Sequence, residues 1–201
     1  RRVIDDPDVQ LVDIATPNHM HPEIAIAAAE AGKHVLCEKP LGLDREQVVR
    51  MTDAAAAADR LLVEAWWYRW HPRTVRAVEL VRSGALGRVR RVEAEFSFDG
   101  DFDGDKAGNY RLDPACGGGA IYDVGCYTVD AARWGLQAGA LEVVDVAGDV
   151  RDGVDVRAGA RLRAAGGTSD SAAAGDDDGD AAVADVRCGI RGRDEQLVAV
   201  Y

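Results

Sequence analysis

Three short segments of the sequence carry side chains suited to chemistry on a small polar molecule. The first, Thr16-Pro17-Asn18-His19-Met20-His21, combines a hydroxyl, an amide and two imidazoles. It follows an apolar run over residues 9–15 that predicts a parallel strand buried on both faces. Because open α/β sheets bind ligands at the carboxyl ends of their strands, these groups could hold a ribose or a carboxamide. They could equally do no more than cap the helix that follows.

The second segment, Cys37-Glu38-Lys39-Pro40, stands at the end of the next predicted strand. Parallel strands would bring it to the same edge of the sheet as the first segment. A carboxylate and an ammonium cost free energy to desolvate, so a functional pair is one interpretation and a surface turn with an ion pair is the other. A cis peptide bond before Pro40 would aim Lys39 into the cleft.

The third segment starts with Gly117-Gly118-Gly119 and continues into a predicted helix that carries Asp123 and Tyr127. Residues four apart on a helix share one face, and glycines let the backbone approach a bulky group closely. An ammonium such as that of Lys39 would favour the phenolate form of Tyr127, which could then act as a general base. The structural alternative is a helix with one tyrosine at a domain seam.

The elements that position the first two segments alternate between strand and helix. Short apolar runs predict strands at residues 9–15, 33–37 and 61–65, and alanine-rich stretches predict helices at residues 22–31 and 45–58. This alternation is typical of a parallel α/β sheet. We therefore predict a first domain over residues 1–64.

The rest of the chain, residues 65–201, is predicted to form an α+β domain with a mostly antiparallel sheet. Helices are expected at residues 72–82 and 120–134, and period-2 alternation predicts strands at 88–98, 142–150, 154–162, 182–189 and 196–201. Residues 164–180 are acidic and rich in glycine, which predicts a flexible loop.

Composition and charge exclude several classes of protein. The 201 residues carry 24 Lys plus Arg against 35 Asp plus Glu, a net charge of −11, which disfavours a nucleic-acid partner. No stretch approaches the roughly 20 apolar residues of a membrane helix, and the charged N-terminus is unlike a signal peptide. We therefore expect a cytoplasmic protein with no membrane partner.

Only three of the basic residues are lysines, which either a GC-rich genome or adaptation to high salt would explain.

The cysteines and the acidic loops do not predict a metal site. The four cysteines are scattered without a C-x-x-C pair, so we expect reduced thiols rather than a zinc site. Residues 99–105, DGDFDGD, lack the ligand spacing and the final glutamate of an EF-hand.

Five segments taken in order resemble the glucose–fructose oxidoreductase and inositol dehydrogenase (Gfo/Idh/MocA) family: TPNHMH, AGKHVLCEKPL, YRWHP, VRSGALGRVRRVEAEFSF and GGGAIYDVGCYTVDAARW. The resemblance covers residues 5–136, extends more weakly to 182–200, and rests mainly on the specific E-K-P and G-G-G-x-x-x-D-x-G motifs. It implies an NAD(P)-dependent oxidoreductase, with NADP favoured, that acts on a sugar, polyol or diol. It also implies a Rossmann domain followed by a domain whose open sheet supports homo-oligomers.

The resemblance assigns roles to individual residues. Lys39 matches the catalytic lysine, and Asp123 matches the active-site aspartate. Tyr127 stands where inositol dehydrogenases have histidine and where the xylose and dihydrodiol dehydrogenase branch has tyrosine, which favours a D-xylose 1-dehydrogenase-like activity. The cofactor-binding positions are Thr16, Pro17, Asn18, His21, Glu38, Lys39, Trp67 and Arg69, and the further substrate-side candidates are Tyr110 and Arg111.

One departure from the family pattern is large. No glycine precedes Gly32, so the G-x-G-x-x-G fingerprint that brings a pyrophosphate to a helix N-terminus is missing. Residues 1–64 therefore match only the C-terminal half of a Rossmann domain. We expect a fragment of a longer gene product that binds dinucleotide poorly by itself. The alternatives are a degenerate, non-catalytic sugar-binding or scaffold member, and a biliverdin reductase-like enzyme, against which the glycine-run helix argues.

Overall fold

The computed structural model describes residues 3–100, 108–165 and 181–201. The described residues divide into two compact units. The first comprises residues 3–68 and 108–118, and the second comprises residues 69–100, 119–165 and 181–201. Within these ranges, no helix is both long enough and apolar enough to span a bilayer.

The first unit alternates strand and helix through its described residues. Its elements are β1 (Leu11–Ile14), α1 (His21–Glu30), β2 (His34–Cys37), α2 (Arg45–Ala57) and β3 (Leu62–Glu64). The strands form a parallel sheet in the order β1-β2-β3. Helix α1 has Pro22 in its first turn, and the carboxylate of Asp44 caps α2 by accepting a hydrogen bond from the Gln47 amide at 2.8 Å.

The core of the first unit lies on one face of its sheet. Ile14, Val35 and Cys37 pack there against Ala28 of α1 and Met51 of α2. The prediction that β1 is buried on both faces is wrong, because alternate residues of this strand are exposed and Leu11 keeps 54% of its surface accessible. The buried residues of β1, Val12 and Ile14, face the core that α1 and α2 form on one side of the sheet.

The second unit is built on a five-stranded sheet. Its elements are α3 (Pro72–Arg82), β4 (Arg91–Ser97), α4 (Cys126–Gly135), β5 (Leu141–Arg151), β6 (Val154–Ala164), β7 (Val183–Gly189) and β8 (Glu195–Val200). The strand order is β5-β6-β7-β4-β8. The pair β4–β7 is parallel, and the other neighbours are antiparallel.

The core of the second unit forms between α4 and the middle strands. Ala132 and Trp134 of α4 contact a cluster that includes Val92 of β4, Val186 of β7 and Leu162 of β6. The same strands carry ion pairs between Arg161 and Asp185 and between Arg187 and Glu95. Alternation along the strands thus separates apolar side chains from charged ones, as expected for a sheet with one wet face.

The predicted fold class is confirmed: a parallel α/β sheet accompanies a mostly antiparallel sheet with helices. Strand β6 continues to Ala164, two residues beyond the prediction and into the start of the predicted loop at 164–180. Residues 166–180 of that loop, and residues 101–105 of the polar stretch at 99–105, lie outside the described residues. The domain boundary near residue 64 stays a prediction.

Candidate active site

The loops that follow β1 and β2 are joined by one buried histidine. His21 has no exposed surface; its Nδ1 lies 2.9 Å from the carbonyl oxygen of Pro40, and its Nε2 lies 2.9 Å from that of Thr16. Each ring nitrogen therefore faces a backbone acceptor, one from each loop. The imidazole fixes the separation of the two loops at the carboxyl edge of the sheet.

The loop that carries Lys39 is held from a second direction. The Lys39–Pro40 peptide bond is cis, as the sequence had suggested. The amide of the next residue, Leu41, donates to Oε1 of Glu64 at 2.8 Å, and the indole nitrogen of Trp66 donates to Oε2 at 2.6 Å. Glu64, the last residue of β3, thus links the loop after β2 to the segment after β3.

Two further residues of the first segment also lie at this edge. The side-chain amide of Asn18, which is buried, donates to the carbonyl of Gly117 at 2.8 Å. The hydroxyl oxygen of Thr16 is buried and has no hydrogen-bond partner among the described residues. A buried hydroxyl in this state costs free energy unless another group bonds to it.

The first two glycines of the run are required by the packing of the first unit. Gly117 has φ +74°, and a Cβ there would collide with the Leu43 side chain. A Cβ at Gly118 would lie 2.6 Å from the carbonyl oxygen of Arg111 and 2.8 Å from that of Asp113. The bulky groups that the glycines accommodate are thus parts of the protein itself.

The third glycine precedes the helical segment of the second unit that carries the predicted acid–base residues. Residues Ile121–Gly125 form a π-helical turn, and α4 continues from it. Asp123 is buried in the π turn, whereas Tyr127 lies in the first turn of α4 and is half-buried, with its ring centroid 5.4 Å from that of Phe96. Because the π turn interrupts the α-helical spacing, the rule that residues four apart share one face does not apply to Asp123 and Tyr127. Such π turns are frequent at functional sites.

The remaining predicted site residues are held by neighbours. Both carboxylate oxygens of Asp130 on α4 accept from the Arg69 guanidinium, with Nε donating at 2.7 Å. Trp67 is exposed and makes an edge-on contact with Tyr68, 6.4 Å between ring centroids. The Arg111 guanidinium lies 4.9 Å from the centre of the Tyr110 ring. The Glu38 carboxylate accepts from the Lys39 amide at 3.2 Å.

Within each unit, the structure brings part of the predicted set together. Thr16, Pro17, Asn18, His21, Glu38 and Lys39 lie on two adjacent loops of the first unit, which also contains Trp67, Tyr110 and Arg111. Asp123, Tyr127 and Arg69 belong to the second unit.

Sequence reasoning missed two carboxylates. Glu64 was assigned only to a strand end, and Asp155 only to an alternating strand, although its carboxylate accepts from the Ile121 amide at 2.8 Å. Burial raises the pKa of Asp155 above its ordinary value, while hydrogen bonds from backbone amides act in the opposite direction. The Leu41 amide is 23 residues from Glu64, and the Ile121 amide is 34 residues from Asp155, so no local pattern could have found these contacts.

The thiols of two buried cysteines are unsuited to nucleophilic chemistry. Burial, with a smaller contribution from nearby carboxylates such as Glu64, raises the pKa of Cys37 to about 12. Burial likewise raises the pKa of Cys188 to about 12. None of the four cysteines forms a disulfide within the chain. Among the residues that the structure describes, no three His, Cys, Asp or Glu side chains are grouped so as to hold a metal ion.

Several known proteins are similar to this chain. Levoglucosan dehydrogenase of Pseudarthrobacter phenanthrenivorans is 41% identical over 67% of the chain and 35% of its own length. D-xylose 1-dehydrogenase (NADP(+)) 2 of Haloferax volcanii is 44% identical over 76% of the chain and 46% of its own length. The chain thus spans less than half the length of these curated relatives.

One solved structure is similar to this chain in both fold and amino-acid sequence. Levoglucosan dehydrogenase in complex with NADH and levoglucosan aligns with a TM-score of 0.84 and 31% identity, over 100% of this chain and 54% of that one.

Two family models match in tandem along the chain. Residues 1–65 match the model of an oxidoreductase family with an NAD-binding Rossmann fold, and residues 74–197 match the C-terminal domain of GFO/IDH/MocA proteins. The second match alone covers more than half of the chain. The chain belongs to the Gfo/Idh/MocA family of oxidoreductases.

Proposed function

We propose that the protein transfers a hydride between NAD(P) and a CH–OH group of a sugar, polyol or diol, with D-xylose and NADP as the favoured pair. The observation that carries this proposal is the loop with Lys39, held at the carboxyl edge of a parallel sheet by His21 and Glu64. Ligands of open α/β sheets bind at this edge. The relatives support the choice of substrate class, since they include enzymes named for D-xylose and levoglucosan.

The residues at this edge fit the nicotinamide end of a dinucleotide. The segment Thr16-Pro17-Asn18 follows β1 at this edge and would form one wall of the nicotinamide site. Lys39 and Glu38 supply further polar groups on the adjacent loop. His21 is fully buried between two carbonyls, so we propose that it positions these loops rather than touching the cofactor.

We assign the acid–base chemistry to Tyr127 and Lys39. When bound, NAD(P) supplies the acceptor for the hydride that leaves the carbinol carbon. Tyr127 takes the proton of the same hydroxyl at its phenolate oxygen. In the alternative route, Lys39 takes the proton directly as a free amine. Asp123 orients the sugar hydroxyl.

We further propose that copies of the protein associate through the sheet of the second unit. Its edge strand β5 exposes Val143, Val146 and Val150 to solvent, and exposed apolar patches often mark interfaces. Light scattering of the full-length gene product should give the mass of a dimer or a larger assembly. A monomer mass would contradict this part of the proposal.

The activity is tested with the full-length gene product and a panel of D-xylose, D-glucose, myo-inositol and a trans-diol, each with NAD and with NADP. We expect sugar-dependent reduction of the nicotinamide, fastest with D-xylose and NADP. Lys39→Ala should abolish this reduction, because it removes the ammonium and the alternative proton acceptor. Arg50→Ala, which removes an exposed cation from α2, is the matched control and should leave the rate unchanged.

Two results would contradict the assignment. Near-normal rates in Lys39→Ala would exclude Lys39 from the chemistry. Tight dinucleotide binding by the wild-type protein without reduction by any member of the panel would favour the non-catalytic, sugar-binding alternative.

A further inference from the structure

The helical segment that begins at Ile121 has no cap from its own sequence. The residue before it is Ala120, and no side chain of the segment bonds to its first amides. The first amides of any helix lack partners within the helix. A segment of this kind needs an acceptor from elsewhere in the fold or from solvent.

Asp155, the second residue of β6, supplies that acceptor. Its Oδ2 accepts from the Ile121 amide at 2.8 Å, and the Ala120 amide also bonds to the carboxylate. A negative charge at the N-terminus of a helix is favourable, and hydrogen bonds to a charged group are stronger than those between neutral groups. Asp155, more than 30 positions away in the sequence, thus satisfies the first amides of the segment as an N-cap residue would.

The third glycine of the run makes this contact possible. Gly119 has φ +113°, and a Cβ there would collide with Oδ1 of Asp155. Its carbonyl oxygen accepts from the Asp123 amide at 3.0 Å. Gly119 therefore admits the carboxylate on one side and starts the turn that holds Asp123 on the other.

A second contact fixes the far end of the π turn. A Cβ at Gly125 would lie 2.9 Å from the Cys188 sulfur of β7, so Gly125 is packed tightly against that strand. Between these two contacts, the backbone of residues 120–125 has little freedom to shift. Tyr127 follows two residues later.

From this arrangement we infer that Asp155 is a positioning residue, which sets the place of the π turn and α4 and thereby of Asp123 and Tyr127. The inference rests on the proposed function for its catalytic consequence, whereas the contact itself is independent of the reaction. Displacing catalytic groups by about 1 Å can lower a rate by about 100-fold. Loss of the Asp155 carboxylate should therefore reduce turnover by displacing these groups, and not by removing a contact with substrate or cofactor.

The contact is tested by hydrogen–deuterium exchange of the full-length protein in its wild-type, Asp155→Ala and Asp155→Asn forms. Asp155→Ala should speed the exchange of the amides of residues 120–122 at least tenfold. Asp155→Asn, which keeps one oxygen acceptor, should restore part of the protection. Asp149→Ala removes an exposed carboxylate from the neighbouring strand β5 and is the control. Unchanged exchange in Asp155→Ala would overturn the inference.

The catalytic consequence is measured on the same variants. We expect kcat to fall by about 10- to 100-fold in Asp155→Ala, with partial recovery in Asp155→Asn and an unchanged Kd for the dinucleotide. Equal kcat in all forms, with faster exchange, would overturn the positioning role. If the wild-type protein reduces no dinucleotide, the proposed function fails while the exchange experiment still decides whether the contact exists.

A double-mutant cycle isolates the packing of Gly119 against the carboxylate. Gly119→Ala introduces backbone strain at φ +113° in any background, but the collision exists only when Asp155 is present. Gly119→Ala should therefore lower Tm more in the wild-type protein than in Asp155→Ala. An equal loss in both backgrounds would overturn the proposed contact.

Discussion

At the scale of single residues, His21 and Glu64 of the candidate site bond to the backbone of neighbouring loops. His21 joins the loops after β1 and β2 through two carbonyl oxygens, and Glu64 holds the Leu41 amide behind the Lys39–Pro40 bond. Arg69, one of the predicted cofactor contacts, is bonded to both oxygens of Asp130. The contacts of His21 and Glu64 hold the backbone of the loop from which Lys39 extends.

The role of His21 predicts a measurable loss of stability in His21→Leu. Leucine fills a similar volume but has no N–H to donate to the carbonyl of Thr16 or Pro40. A buried acceptor left without a partner costs about 1–3 kcal/mol, so urea unfolding should show a decrease of that size. His19→Leu, at an exposed position of the same segment, is the control. If both variants are as stable as the wild type, the joining role is refuted.

At the scale of elements, the glycine run and the charged side chains of the second sheet add contacts to those of the apolar cores. The three consecutive glycines serve three different neighbours, namely Leu43, the Arg111–Asp113 backbone and Asp155. On the sheet of the second unit, Asp185 of β7 is bonded by Arg161 of β6 at 2.8 Å and forms an ion pair with Arg91 of β4 at 2.8 Å. A single carboxylate thus ties three adjacent strands.

The contacts of Asp185 predict a specific dependence of stability on pH. The hydrogen bond from Arg161 lowers the pKa of Asp185 below its ordinary value of 3.8, although burial acts in the opposite direction. A carboxyl with a lowered pKa stabilises the fold above its unfolded pKa, and this stability is lost as the pH falls. The difference in unfolding free energy between wild type and Asp185→Asn should therefore shrink as the pH falls from about 5 to about 3.

Asp149→Asn, an exposed change on β5, is the matched control for this experiment, which is read from urea unfolding at each pH. A difference between wild type and Asp185→Asn that stays constant over the whole range would show that the Asp185 charge contributes nothing.

The elements themselves could be predicted, but their connections could not. Helix α3 begins at Pro72 and ends at Arg82 as predicted, because a proline starts it and Ser83-Gly84 follows it. The π turn before α4 was not predicted, since one continuous apolar pattern covers both. The parallel pairing of β4 with β7 joins segments about 90 residues apart, and alternation within a strand carries no information about its neighbour.

The same limit applied to the site. Motif positions led to Lys39, Asp123 and Tyr127, and the end of β2 led to the cis bond before Pro40. Glu64 and Asp155 act through backbone amides of distant segments, and a carboxylate in a strand is ordinarily interpreted as solvent-facing. Only the folded structure shows which amides donate hydrogen bonds to these two carboxylates.

At the scale of the whole molecule, the net charge of −11 agrees with a neutral substrate. A sugar carries no charge, so the field of an acidic protein neither attracts nor repels it. On the sheet of the second unit, Arg91, Arg161 and Arg187 pair with carboxylates, so these arginines stabilise strands instead of forming a basic surface. The two family models match in tandem, the NAD-binding Rossmann model over residues 1–65 and the C-terminal domain model over residues 74–197.

The central claim is that a sugar carbinol gives its hydride to a nicotinamide. The most direct test incubates the full-length gene product with NADP and D-xylose deuterated at C1, and follows the label by NMR. The account predicts deuterium on the reduced nicotinamide ring, with a much slower transfer in Tyr127→Phe at unchanged dinucleotide affinity. A wild-type protein that binds NADP and the sugar but leaves all deuterium on the sugar would contradict it.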